Sequence, residues 1–310
     1  MEKNSSIQTY RANATWINIT QFKKEEIAYL KKTFQFFLSD IKDVLPPLQR
    51  PKVKERPGYI FMILVLPIYR RDTRMILPTE LDLFLTKDTL ITIHSNNFKT
   101  LQDISAYFKK EKLAPEKFLA VSPITFLFEI LERIYESLFP MLTHLSNDIN
   151  ELGENIFEDR DPNLIARILE IKRNIIAFRK ALSAHKRALK QLEEIIPRFS
   201  PLDAGVPSRL EEIIEHTREI WDELDNYAYT ISAIHESHES ITTHKLNIII
   251  KTLTMFSVIV FPLTLLAAIF GMNTVQTPFV NRPDGFWIII ILMCIGTLSL
   301  LGIFKWKRWL

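Results

Sequence analysis

Two long uncharged stretches near the end of the chain constrain its fold more than any other feature. From Leu253 to Phe270 there are 18 residues without a charge, and from Phe286 to Phe304 there are 19. Each is long enough to cross a hydrocarbon core of about 30 Å as a helix. The 15 residues between them, Gly271–Gly285, carry Pro278, Pro283 and two glycines, the composition of a tight hairpin loop. A helical hairpin buried in a soluble core would have similar apolar content, but the flanks oppose that reading. Lys245 and Lys251 precede the first stretch, and Lys305-Trp306-Lys307-Arg308-Trp309 follows the second. The loop holds only Arg282, offset by Asp284. Positive charge kept on the cytoplasmic side puts both termini inside and residues 271–285 outside. Trp287 and Trp306, at opposite ends of the second stretch, suit the two membrane interfaces. The expected location is the cell (inner) membrane, crossed twice.

Composition follows the same division. Residues 245–310 contain six Lys/Arg and one acid, which leaves 33 basic and 35 acidic residues in the first 244. The overall charge of +3 is therefore a body of −2 joined to an apolar end of +5. A nucleic-acid binder is disfavoured, because the basic excess is confined to the apolar end and forms no stripe on the polar body. The single cysteine, Cys294, lies mid-span and allows neither a disulfide nor a thiolate zinc site within one chain. None of the seven glycines is spaced as a dinucleotide or phosphate-binding loop, so no nucleotide is expected as a partner or energy source. No nucleophile–base arrangement stands out, and an enzyme is the least favoured class. The N-terminus, Met-Glu-Lys-Asn-Ser-Ser, is polar and lacks the apolar core of a signal peptide, so the first domain is expected to stay where it is made.

The body reads as a mixed domain followed by helix. Residues 13–19, 58–67, 80–86 and 89–94 are short, β-rich and bounded by turn residues. Helical patterns fall at about 21–38, 100–111 and 115–120. After Ser122-Pro123, a cap followed by proline at the first helical position, one helical run is expected to about Glu158 and a second from Asp161-Pro162 to just before Pro197. A third opens at Ser208, with Glu211 three residues on as a capping box. From there to Phe270 there is no glycine, and the only proline is Pro262. Such a helix would be roughly 95 Å long at 1.5 Å per residue. One chain cannot bury such a rod, which points to oligomerisation about an axis. The expected divisions are an α/β domain over 1–121, its helical part over 122–207 and a stalk helix over 208–270 that includes the first span at about 253–270. A loop over 271–285, a second span over 286–304 and a basic tail over 305–310 complete the chain.

Written in heptads from Asn247, the two seam positions of the rod read Asn247, Ile250, Thr254, Ser257, Phe261, Thr264, Ala268 and Gly271. Of the five uncharged polar residues between 246 and 271, four fall on this seam. In lipid, polar side chains turn toward a helix–helix contact or a watery lumen. Spacing alone leaves both readings open: helix packing through small residues and hydroxyls, or a narrow pore lined by one stripe from each subunit.

The first span ends Phe270-Gly271-Met272-Asn273, and Gly-Met-Asn at this place resembles the CorA family of Mg²⁺/Co²⁺ divalent-cation channels. Pro262-Leu263-Thr264 upstream and the basic, Trp-containing tail 305–310 are similar to that family too. So are Thr15-Trp16-Ile17-Asn18, Arg50-Pro51-Lys52-Val53, and Glu80-Leu81-Asp82-Leu83-Phe84-Leu85 through Ile93-His94 in the body. The resemblance implies an α+β membrane protein, a pentameric funnel. Cytosolic α/β/α domains would lead into stalk helices continuous with transmembrane helix 1, with transmembrane helix 2 outside them. It implies a selectivity filter at Gly271, Met272 and Asn273, the asparagine forming a ring of five amides that selects a hydrated ion. It implies polar pore positions at Thr264 and Asn247, and an apolar constriction at Ile250 and Leu253 able to gate by dewetting. Phe261 stands where the family commonly has methionine. The cargo implied is Mg²⁺, with Co²⁺ or Ni²⁺ as further ions, moved by the electrochemical gradient, and no cofactor is required.

One departure concerns the outer mouth. Many magnesium members follow Gly-Met-Asn with an acidic loop, whereas here Thr274-Val275-Gln276-Thr277-Pro278 follows, with no acid until Asp284. On the stalk, His235 and His238 are three apart, a spacing that can bind zinc and equally that of a solvated helix face. Glu236, counted back from Gly-Met-Asn, falls near the acid that helps form the family's intracellular Mg²⁺-sensing site, through which cytosolic Mg²⁺ would close the pore. Two alternatives stand beside the channel: a zinc transporter of the same superfamily, and a membrane-anchored oligomeric scaffold.

Overall fold

The computed structural model describes residues 6–96, 98–111, 114–120, 122–156, 163–200, 206–272, 278–279 and 283–309. The chain forms two compact units, Met1–His235 and Glu236–Leu310.

The first unit is built on a six-stranded sheet in the order β1-β2-β6-β5-β4-β3. Its strands are β1 (Ile7–Arg11), β2 (Thr15–Ile19), β3 (Lys52–Arg56), β4 (Tyr59–Arg70), β5 (Met75–Thr86) and β6 (Thr89–His94). Neighbours run antiparallel except β2 and β6, which pair in parallel with Ile17 opposite Ile91. The central strands match the β-rich runs expected from the sequence. The edge strands β1 and β3 were not expected, because Ile-Gln-Thr-Tyr-Arg and Lys-Val-Lys-Glu-Arg lack a strong apolar alternation. Charged side chains on an edge blunt unwanted strand pairing.

The register gives each face its own layer. One face carries Ile17, Ile19, Tyr59, Phe61, Ile63, Phe84, Ile91 and Ile93, packed with Leu30 and Val44. Over it lie the helices α1 (Lys24–Thr33) and α2 (Leu38–Asp43). A single helix over 21–38 was expected, but the chain turns extended at Phe34, and Phe36 stacks on Phe84 at 4.5 Å between ring centres. Aromatic burial at the sheet outweighs continuation of the helix. The opposite face presents Trp16, whose ring meets Phe108 of α3 (Lys99–Lys110) and Phe126 of α5 (Pro123–Glu136) at 5.3 and 5.2 Å. The short α4 (Ala114–Phe118) lies between α3 and α5 in sequence. This is an α/β/α arrangement.

The two long helical runs are each divided. The first becomes α5 and α6 (Phe139–Asn155), broken where Pro140 removes an N–H from the ladder. The second becomes α7 (Leu164–Leu182) and α8 (His185–Phe199), and Pro197 lies inside α8 and does not follow it. The break before α8 turns His185 into the core. Its Nδ1 pairs with the Tyr135 hydroxyl at 2.7 Å and its Nε2 with the Val65 carbonyl at 2.8 Å. A carbonyl only accepts, so Nε2 carries the hydrogen and Nδ1 accepts from Tyr135. Burial pushes the His185 imidazole down to about 4, the bond to Val65 opposing this only in part. An imidazole kept neutral by folding stabilises fully above its ordinary value near 6.5, and that stabilisation is lost as pH falls through the folded value. Acid unfolding of the wild type should therefore steepen between pH 6.5 and about 4. His185→Leu should lose that slope. It should also cost on the order of 3 kcal/mol at neutral pH by stranding Tyr135 and Val65, both measurable by denaturant titration.

The third helix, α9, spans Val206–Phe270, so Ser208 and Glu211 lie within its first turns and not at its boundary. In the second unit α9 ends at Phe270, and α10 covers Gly285–Trp306. Both helices are long and apolar enough to cross a membrane, and their apolar windows are uncovered in the single chain. Leaving such surface in water forgoes roughly 25 cal/mol per Å². Lipid or other helices must cover it.

Candidate functional site

The seam expected from the sequence lies on α9 except for Gly271, which follows the helix end. None of Asn247, Ile250, Leu253, Thr254, Ser257, Phe261, Thr264 and Ala268 is buried in the single chain. Ile250 and Phe261, the large apolar members of the seam, are 60% and 70% exposed, and Leu253, the other residue of the expected constriction, is 66% exposed. The hydroxyls settle themselves within the helix. Thr254 donates to the Ile250 carbonyl at 2.8 Å, Ser257 to Leu253 at 3.0 Å and Thr264 to Val260 at 2.9 Å. Each hydroxyl hydrogen is used by the carbonyl one turn back, and the oxygen keeps lone pairs to offer a partner. Thr252, off the seam, does the same toward Ile248, so the bonding is general to the helix and the seam is distinguished by position alone.

At the end of α9 the Gly271 N–H reaches the Ala267 carbonyl at 2.9 Å, and the Met272 N–H reaches Ile269 at 3.3 Å. A Cβ added at Gly271 would stand 3.0 Å from the Ala267 carbonyl oxygen, a backbone atom with little room to yield. The glycine thus has a local steric reason. Met272 is exposed, whereas Asn273 lies outside the described residues, as do 274–277 and 280–282.

His235, Glu236 and His238 stand on α9, the histidines half-buried and the glutamate exposed. Among the described residues no three His, Cys, Asp or Glu side chains are grouped so as to hold a metal ion.

Two buried acidic sites in the α/β domain escaped the sequence reading. Asp40, on α2, is fully buried and accepts from Arg56 Nε at 2.8 Å and Nη2 at 2.9 Å, Lys54 at 3.1 Å and the Tyr59 hydroxyl at 2.8 Å. Burial alone would raise its carboxyl, but the hydrogen bonds from Arg56, Tyr59 and Lys54 outweigh it and hold the group well below the usual carboxylate range. Lys54 and Lys52 also bind Asp43 at 2.9 and 2.8 Å. On β5, Glu80 and Asp82 share a face with Phe84, and burial pushes the Asp82 carboxyl well up, with Glu80 adding to it. A signal for the second site was present: in Glu80-Leu-Asp82-Leu-Phe84-Leu the period of two puts both acids beside the core-facing phenylalanine. Nothing comparable marked Asp40, whose partners come from two other strands.

Known proteins resemble the chain over nearly its full length. It is 26% identical over 308 residues to the cobalt/magnesium transport protein CorA of Methanocaldococcus jannaschii, covering 98% of this chain and 93% of that protein. It is 23% identical over 299 residues to the protein of the same name from Thermotoga maritima, covering 96% and 83%. The complete structure of the CorA magnesium transporter from M. jannaschii superimposes with a TM-score of 0.83 at 24% identity, over 96% of this chain and 92% of that one. Residues 11–308, which take in the sheet from β2 onward, α9 with its seam and α10, match the description of the CorA-like Mg²⁺ transporter proteins, and the chain belongs to that family.

Proposed function

We propose that the chain assembles as a homopentamer in the cell membrane and conducts divalent cations, Mg²⁺ foremost with Co²⁺ and Ni²⁺ as further cargo, down their electrochemical gradient. In this reading 208–270 is the stalk and first span, 271–285 the extracytoplasmic loop, 286–304 the second span and 305–310 a cytoplasmic tail, with both termini inside. The observation that carries it is the uncovered seam on α9, where acceptor oxygens of Thr254, Ser257 and Thr264 alternate with apolar side chains. An anchor alone would not require a polar line along an otherwise apolar span. Mg²⁺ dehydrates reluctantly, so neutral oxygens that accept from its water shell suit it better than a stripping cage. Ile250 and Leu253 form the apolar constriction, and Gly271, Met272 and Asn273 the filter at the mouth. Glu236 joins the site at which cytosolic Mg²⁺ closes the pore.

Purified protein in liposomes, given an inside-negative potential, should take up Mg²⁺ and Co²⁺ faster than Zn²⁺, and native mass spectrometry should show five copies. Faster Zn²⁺ uptake, with His235 and His238 required, would favour the zinc reading. No flux of any ion would leave the scaffold. For sensing, the stalk should resist protease better in millimolar Mg²⁺ than without it. Glu236→Ala should reduce that protection, and protection unchanged by Mg²⁺ would remove the sensing role.

A further inference from the structure

Asp82 sits where an acid is costly. It is 3% exposed, and in register it lies between Ile63 of β4 and Ile93 of β6, both buried. Its Oδ1 has no hydrogen-bond partner among the described residues. Its carboxyl lies within hydrogen-bond reach of Glu80, whose Oε2 accepts the Gln49 N–H at 2.5 Å. Two carboxylates repel each other and have no hydrogen to share, so a bond between them requires a proton on one.

The surrounding charges lead to the same conclusion. The charged groups acting on Asp82 are Glu80 on its own strand, Lys52 on β3 and Asp43 on α2. Lys52 is committed to Asp43, and Lys54 and Arg56 are committed to Asp40 and Asp43. The three cations thus face four carboxyl groups, and the set is neutral only when one proton is retained. Of the four, Asp82 alone has neither a cation at bonding distance nor access to water, while Glu80 remains half-buried with a backbone donor.

We propose that Glu80 and Asp82 form a proton-binding site in the α/β domain, with one proton residing on Asp82 and shared toward Glu80 at neutral pH. Alkalinisation removes that proton and places a second negative charge beside Ile63 and Ile93. Glu80, two residues away on the same face of β5, holds the segment around Gln49 through the Gln49 N–H. Losing the proton therefore loosens that segment on the sheet. The sign is fixed by the chemistry. An acid that stays protonated when folded and ionises when unfolded stabilises fully below its unfolded value near 3.8, and the stabilisation fades as pH rises toward the folded value.

The full chain in detergent micelles tests this without any transport measurement. Infrared spectra at pH 7 should contain a protonated-carboxyl stretching band that fades reversibly as pH is raised. Asp82→Asn should abolish the band, and Glu80→Gln should keep it. In thermal scans the wild-type midpoint should fall by several degrees from mildly acidic to alkaline pH, and Asp82→Asn should lose most of that slope. A wild type without the band at neutral pH, or an Asp82→Asn slope equal to wild type, would overturn the proposal. Should Asp82→Asn fail to fold, Glu80→Gln decides: loss of the band there removes the proton from Asp82.

Discussion

Asn273→Ala is expected to lower Mg²⁺ flux into proteoliposomes by more than about tenfold. The reasoning rests on the ion's water shell. A hydrogen bond to a charged partner is worth about 1.5–3 kcal/mol, and each 1.4 kcal/mol is a factor of about ten in rate. A ring of carboxamides at the pore mouth would supply several such bonds at once, so removing the whole ring loses more than one factor. The measurement is uptake followed with a Mg²⁺-sensitive dye, with pentamer assembly checked on the same sample by native mass spectrometry. Flux equal to wild type in an assembled pentamer would sink the ring. Thr274-Val275-Gln276-Thr277-Pro278 follow residue 273 with no acid until Asp284, so such a ring would carry more of the selection here than it would beside a ring of acids.

Asp40→Ala is the change with the largest expected effect on folding. It strands the Arg56 guanidinium and the Tyr59 hydroxyl and leaves the Lys54 ammonium with Asp43 alone, whereas Asp40 meets all three from a fully buried position. Breaking a buried pair by removing one partner costs about 3–5 kcal/mol. Here the lower end applies, about 3 kcal/mol, because the Lys54 and Arg56 side chains remain 30% and 28% exposed and rehydrate in part. The depressed Asp40 carboxyl gives a second signature. Its contribution is complete above the unfolded value of 3.8 and is lost only as pH falls through the lower folded value. Urea midpoints of wild type and Asp40→Ala should therefore differ most at neutral pH and converge in strong acid. A neutral-pH difference below about 1 kcal/mol, the scale of an exposed ion pair, would mean that the network is solvated.

The parts of this molecule legible in the sequence are those whose information is local. Two uncharged stretches suffice to place the apolar ends of α9 and α10, because a span is a property of about 20 consecutive residues. Most of the Tyr59–Arg70 strand and the 80–86 part of the Met75–Thr86 strand are legible as β-rich runs, whereas 75–79 carries no such pattern by itself. What was missed depends on partners far along the chain. Strand β3 is Lys-Val-Lys-Glu-Arg and becomes a strand because Val53 pairs opposite Met62 and its cations meet Asp40 and Asp43. The break between α1 and α2 depends on Phe36 finding Phe84. The break between α7 and α8 depends on His185 finding Tyr135 and Val65. For the candidate site, the seam was visible as spacing because all its members but Gly271 share one helix. The saturation of Asp40 was not, since an isolated acid on a short helix carries no pattern until its strands assemble.

The back-bonded hydroxyls of α9 have a consequence for how a pore lined by them would distinguish the sign of an ion. With their hydrogens spent on the helix, Thr254, Ser257 and Thr264 face outward as acceptors only, so an anion finds no donor among these three oxygens, while a cation's water shell finds acceptors for its hydrogens. That discrimination uses no fixed charge. Salt shortens the reach of fixed charges to about 8 Å at physiological ionic strength but leaves short-range hydrogen bonding to lone pairs in place. Nor does a hydroxyl titrate near neutral pH. Sign preference along this stretch should hold across salt and pH, so that a proton on the α/β domain alters how well that domain holds together and not which charge the helix welcomes.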